Sequence, residues 1–159
     1  MCKQCCLARH QLDPLHRLQV MCYTNMVLKA DEAKHWNDTF FEQTTFHLLG
    51  LRVQLGHHPE EICHSTQSAF KEFTVIHVNG IQVLAVDFCG CDGSPPHYQQ
   101  LLDIGWWPAT PLQPQSAATF QVLAHFQAVN LHGTCPATDY YRALQTITDG
   151  SGLHALPVE

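Results

Sequence analysis

Eight cysteines and twelve histidines stand in a chain of 159 residues that carries only eight lysines and arginines. Thiolates and imidazoles are the side chains that hold soft and borderline cations such as zinc, so these residues are where chemistry is sought first. The tightest pairing is Cys89-Gly90-Cys91, which closes the apolar run from Val83. A disulfide between the two is disfavoured. Residues i and i+2 of a strand lie about 6.5–7 Å apart at Cα, at or beyond the long end of disulfide geometry. Both sulfurs can instead reach one metal about 2.3 Å from each if the chain curls, and Gly90 permits a curl. Cys63 is the nearest other thiol, His57 and His58 precede it, and His97 lies six residues beyond Cys91. The expected ligands are Cys63, Cys89 and Cys91, with His97 first and His57 second for the fourth place. Buried structural cysteines without a metal are the alternative. Cys22 and Cys135 are expected as free thiols, and for any single histidine a solvated loop position is the ordinary reading.

A second concentration opens the chain, where Cys2-x2-Cys5 is followed by His10 and His16. Paired cysteines followed by paired histidines also suit zinc. Met1 abuts the first cysteine directly, so this module is expected to be cut off at its start.

Catalytic constellations are missing. There is no Pro-Cys-x-x-Cys of a zinc deaminase, no His-Glu-x-x-His, no Gly-x-Ser-x-Gly, no P-loop and no Gly-x-Gly-x-x-Gly. A reactive thiol pair with His97 would need an electropositive setting, whereas the segment around it holds Asp87, Asp92 and Asp103 and no Lys or Arg. The chain is therefore not expected to be an enzyme. The net charge of -6 argues against bulk attraction to nucleic acid, and three of the eight cations, Lys3, Arg9 and Arg17, are N-terminal. No apolar run is long enough for a membrane span and no signal-peptide pattern opens the chain, so a nuclear or cytoplasmic, not secreted, protein is expected. Thiols stay reduced there, which favours metal binding over disulfides.

The elements that must position these residues read as α+β. Residues 27–34 could form a short helix, and Thr44-Thr45 could cap a turn through Phe46–Leu49 ended by Gly50. Leu51–Leu55 alternates as a strand. Asn79-Gly80 between β-branched runs predicts a type I′ hairpin joining strands near 73–78 and 81–88. Trp106-Trp107-Pro108 suggests an edge strand or loop, and two helices are expected within 115–129 and 136–148. The expected fold is a small zinc-binding domain with a β-hairpin, a short strand and two C-terminal helices.

The phrases "CCLARHQLDPLHRL", "HWNDTFFEQTTFHLLGLRVQLGHHPEEIC", "VNGIQVLAVDFCGC" and "HYQQLLDIGWWPATPLQPQSAATFQVLAHF" resemble the CxC-type cysteine-cluster domain associated with fungal Kyakuja–Dileera–Zisupton (KDZ) transposases. The similarity runs from about Cys2 to Gly150 with one gap. The resemblance implies a non-catalytic, metal-chelating accessory region ahead of a transposase core with an RNase H-like fold. Its implied role is contact with DNA or chromatin, or with protein, during transposition. It carries over Cys63, Cys89 and Cys91 as cluster positions and supports His57 and His97. Cys2, Cys5, His10 and His16 resemble the tail of a B-box-like zinc module whose upstream ligands are missing, so this half is not expected to close on zinc. Gln82 stands where relatives often have His, and Asp103 replaces a basic residue. Because the chain ends at Glu159, before any catalytic core, it is expected to be a fragment that does not transpose DNA by itself and binds DNA weakly or not at all. A decayed transposon remnant and a thiol redox protein are the alternatives.

Three segments follow: a zinc-module remnant at 1–19, an insertion at 20–34, and the cysteine-cluster domain at 35–159. Joining Gln19 to His35 restores the family-like "PLHRLQHWNDTFFE". The 15 inserted residues equal 45 nucleotides. A valine codon begins GT, and Lys34-His35 can supply an AG before the CA of His35. The insertion is read as a translated intron, with a loop insertion as the alternative.

Overall fold

In the computed structural model the described residues are 14–15, 19–20, 28–29, 34–36, 41–43, 50–57, 61–69 and 72–148. Their elements run β1 (Gln19–Val20), β2 (Leu28–Lys29), β3 (Lys34–Trp36), β4 (Phe41–Gln43), β5 (Arg52–Gln54), β6 (Thr66–Ser68), β7 (Phe73–His77), β8 (Gly80–Cys89), α1 (His97–Asp103), β9 (Trp106–Pro108), β10 (Ser116–Thr119), α2 (Phe120–His132) and α3 (Ala137–Thr148). They divide into two units, one of residues 1–73 with 83–95 and one of 74–82 with 96–159.

The first unit is organised by the second half of β8. Its residues Ala85–Asp87 pair in parallel with β5, and Asp87–Cys89 pair antiparallel with β6. A strand flanked on both edges and covered on both faces reads as a continuous apolar run, and Leu84 through Cys89 are all buried. Leu51, Val53, Leu55 and Phe73 complete this core, with Phe73 and Phe88 edge to face at 6.4 Å. Upstream, β1 pairs antiparallel with β2 and β3 with β4. The helix expected over 27–34 is not formed: Leu28–Lys29 is a strand and Lys34 opens another. An isolated eight-residue helix is below the length at which propagation overcomes nucleation, whereas the ladder gives these residues backbone partners at once. The capped turn expected at 44–49 lies outside the described residues.

The second unit places helices on a mixed ladder in which β7 lies between the start of β8 and β10. β10 runs parallel to β7 and antiparallel to β9. Ile76 and Ala118, opposite one another, join Val78, Tyr140 and Tyr141 around a core of Ile81, Val122 and Leu144. Helices α2 and α3 are thus seated through one buried residue each, Val122 and Leu144. The broad apolar face read along α2 is only partly used, since Phe120 is 45% exposed and Leu123 40%.

Three sequence readings change here. Residues 116–119 are a strand before the helix begins. The Thr119 hydroxyl accepts from the Val122 N–H at 3.2 Å and so fixes the start of α2 one residue later. Helix α1 was not expected. It is seven residues long and has no side-chain cap, and it buries Gln100 and Leu101 before Gly105 turns the chain at φ +77. The hairpin turn is centred on Val78-Asn79, with Gly80 already in β8 at φ +124. Val78 packs on the core, and a Cβ on Gly80 would stand 2.6 Å from Thr148 Oγ1, the atom that accepts from the Ile81 N–H. Close approach of α3, together with the backbone angle, explains the glycine. Trp106–Pro108 is the expected edge strand, paired with β10 at Ala117–Thr119.

Candidate metal centre

Strand register brings the site together. Gln54 lies beside Asp87 in the parallel pair, so the chain leaving β5 towards His57 runs alongside the end of β8 at Cys89. Thr66 pairs with Cys89 from the other edge, which places the preceding loop, with Cys63, at that same end. Cys91 follows two residues beyond. The connection between β5 and β6 and the chain at Cys89–Cys91, remote in sequence, thus converge past the C-terminal end of β8.

The four side chains meet there. His57 Nε2 is 3.1 Å from Cys89 Sγ and 3.6 Å from Cys91 Sγ, and Cys63 Sγ is 3.6 Å from Cys91 Sγ. All four ligand atoms lie within 4.8 Å of one another. A tetrahedron with metal–sulfur bonds of about 2.3 Å has edges of about 3.8 Å, so three thiolates and an imidazole at these separations fit one four-coordinate ion. His57 Nδ1 faces the Glu61 carboxylate at 3.5 Å, which leaves Nε2 as the ligand nitrogen. Among the described residues this is the group that could hold a metal.

The electrostatics favour a thiolate at Cys89. Donation from the Cys91 N–H, at 3.4 Å from Cys89 Sγ, is the main cause that brings the Cys89 thiol down to about 7, against the effect of burial and with help from Cys91, Cys63 and His57. Cys91 is pushed up, first by Cys89 and then by Cys63. The acidic surroundings read from the segment alone are altered by a neighbouring strand. Arg52 Nε donates to Asp87 Oδ2 at 2.6 Å, Arg52 Nη2 donates to Oδ1, and Ser68 Oγ donates to Oδ1 at 2.7 Å. This fork holds the Asp87 carboxyl below the usual carboxylate range despite its burial. Arg52 was invisible as a neighbour because it lies 35 residues away in sequence.

The structure brings Cys63, Cys89 and Cys91 together, and His57 is the fourth side chain of the group that could hold a metal. His97, placed first by its nearness to Cys91, is not in the group. Asp92-Gly93 turns the chain, Gly93 at φ +79, and Pro96 caps α1, so His97 is the first residue of a helix in the other unit. Gly90 does not supply a left-handed curl. A Cβ there would meet Gln67 at 2.6 Å from Nε2 and 2.9 Å from Cγ and Cδ, so the glycine admits a side chain from β6. The Gly90 N–H donates to Ser65 O at 2.8 Å. Cys135 is half-buried and outside the cluster, its N–H donating to Asn130 Oδ1 at 3.4 Å. Cys2, Cys5, His10, His16 and Cys22 lie outside the described residues. Sequence reasoning did not single out Glu61 or Gln54. The i,i+4 spacing of His57 and Glu61 was the one available signal for the former.

A family model described as "CxC2 like cysteine cluster associated with KDZ transposases" matches residues 46–152, a span that contains all four clustered residues. No curated protein and no solved structure matches the chain. Among the described residues no helix is long and apolar enough to cross a membrane.

Proposed function

Because the chain belongs to the family of CxC2-like cysteine clusters associated with KDZ transposases, we propose that it is a non-catalytic accessory module in which His57, Cys63, Cys89 and Cys91 hold one structural Zn2+. The observation that carries this reading is the convergence of three thiols and one imidazole within 4.8 Å. Four protein ligands close a tetrahedral ion and leave no position for water, which is the arrangement of a structural site. Zinc fits the borderline donor set and is redox-inert. The ion would join the end of β8 to the chain after β5 and to the loop before β6, and its binding energy would become folding energy.

The partner we propose is protein, namely the transposase core, in a nuclear setting. Residues 74–82 and 96–148 contain Asp103, Asp139 and Arg142 as their only Asp, Glu, Lys or Arg, too few cations to track phosphates. The same unit exposes Trp107 at 57%, and Ile104 and Phe120 are exposed as well. Apolar surface of this kind suits contact with protein.

Elemental analysis of the purified full chain tests the proposal. A zinc that stays through dialysis in the wild type and is lost in Cys89→Ser supports it. A second reading, thiol redox chemistry, draws on the 3.6 Å separation of the Cys63 and Cys91 sulfurs. A folded, metal-free chain with rapidly titrating thiols would select that reading instead. On DNA, weak binding with a shallow salt dependence is expected, and a steep salt slope would contradict a protein partner.

A further inference from the structure

One side chain bonds twice to the loop that carries Cys63. Gln54 Nε2 donates to Glu61 O at 2.9 Å, and Gln54 Oε1 accepts from the Cys63 N–H at 3.2 Å. The amide has one donor end and one acceptor end, and this orientation satisfies both. Its own backbone is fixed, since Gln54 lies in register with Asp87 and the next N–H, of Leu55, donates to Asp87 O at 2.8 Å. The bracket spans the two residues that matter on either side of Ile62. Cys63 provides a ligand sulfur, and Glu61 presents its carboxylate to His57 Nδ1. Ile62 itself is 81% exposed, so apolar packing does not hold the middle of this segment.

We infer that Gln54 is a positioning residue of the metal centre, setting the loop 61–63 so that Cys63 and the Glu61–His57 pair face the ion before it arrives. The inference rests on the zinc reading above. Partners one step removed from a metal typically change its affinity about 10–100-fold.

The test uses the full chain loaded with zinc and follows metal transfer to a chromophoric chelator, scoring the phase that Cys89→Ser abolishes. Gln54→Ala is expected to release that zinc about tenfold faster, in line with the lower end of such effects. Gln54→Glu keeps the acceptor for Cys63 and loses the donor for Glu61, and is expected to fall between the two. It also serves where the alanine variant fails to fold. Val53→Ala, on the buried face of the same strand, controls for lost stability and is expected to release zinc at the wild-type rate. The Co2+-loaded chain gives an independent readout, because Gln54→Ala should weaken the thiolate-to-cobalt absorption while Val53→Ala leaves it intact. Wild-type release from both Gln54 variants would overturn the inference, as would equal acceleration by Val53→Ala. A wild-type chain with no Cys89-dependent phase would remove the zinc reading and this inference together.

Discussion

The two units order their chain by different means. Around β5, β6 and the end of β8 the contacts outside the ladders combine an apolar core of Leu51, Val53, Leu55, Phe73 and Phe88 with directional groups: the Arg52–Asp87–Ser68 fork, the Gln54 bracket and the four-residue cluster. Around β7, β9 and β10 they are chiefly apolar, with Ile81, Val122 and Leu144 at the centre and the aromatic rings of Tyr140 and Phe126 5.1 Å apart above. The difference follows from the local sequence. Helices α2 and α3 can each offer an apolar residue to a sheet, whereas the segments 50–57 and 61–69 contain no helix among the described residues and several exposed polar positions. Strands β5 and β6 have only three residues each, and a metal joining the chain around them would add order that such short ladders lack.

Removing the metal should break that comparison most severely. With a strong chelator, amide exchange in residues 52–54, 66–68 and 85–89 is expected to rise while α2 and α3 stay protected. The expected loss is on the order of 5 kcal/mol or more, given that structural zinc contributes roughly 10–16 in small peptides. Equal exposure of both regions would show that the division has no energetic meaning. The converse change is Leu144→Ala, at a residue only 3% exposed. It should cost about 2–5 kcal/mol in denaturant unfolding, as large-to-small core changes do, and leave zinc content unchanged. Loss of zinc on that substitution would tie the cluster to the apolar core.

The three clustered cysteines were legible because Cys89 and Cys91 stand one residue apart and Cys63 is the nearest other thiol. Sequence distance favours His97 for the fourth place, while strand register, a long-range property, brings His57 to the three thiols. Arg52 and Gln54 were unreadable as well. Arg52 acts across a parallel pairing, and Gln54 bonds to Glu61 and Cys63 in the connection that follows its strand; local periodicity encodes neither. In the second unit the terminal helices and the edge strand were visible in their patterns. Strand β10 was hidden because Ser116-Ala-Ala-Thr119 has good helical composition and becomes a strand only through β7 and β9.

The smallest expected effect sharpens the account of Cys89-Gly90-Cys91. Gly90→Ala should cost about 1 kcal/mol, since the obstructing group is the flexible end of Gln67. Adding Gln67→Ala should restore most of that loss in a thermal melt. A large, unrescued loss would mean that backbone conformation, not close approach, requires the glycine.

The ligand set itself is tested most directly by X-ray absorption at the zinc edge, on the zinc-loaded chain with Cys2 and Cys5 replaced by serine. Three sulfur neighbours at about 2.3 Å and one nitrogen at about 2.0 Å are expected, with the nitrogen shell altered by His57→Ala and unchanged by His97→Ala. A first shell that responds to His97→Ala and not to His57→Ala, or one with fewer than three sulfurs, would contradict this ligand set.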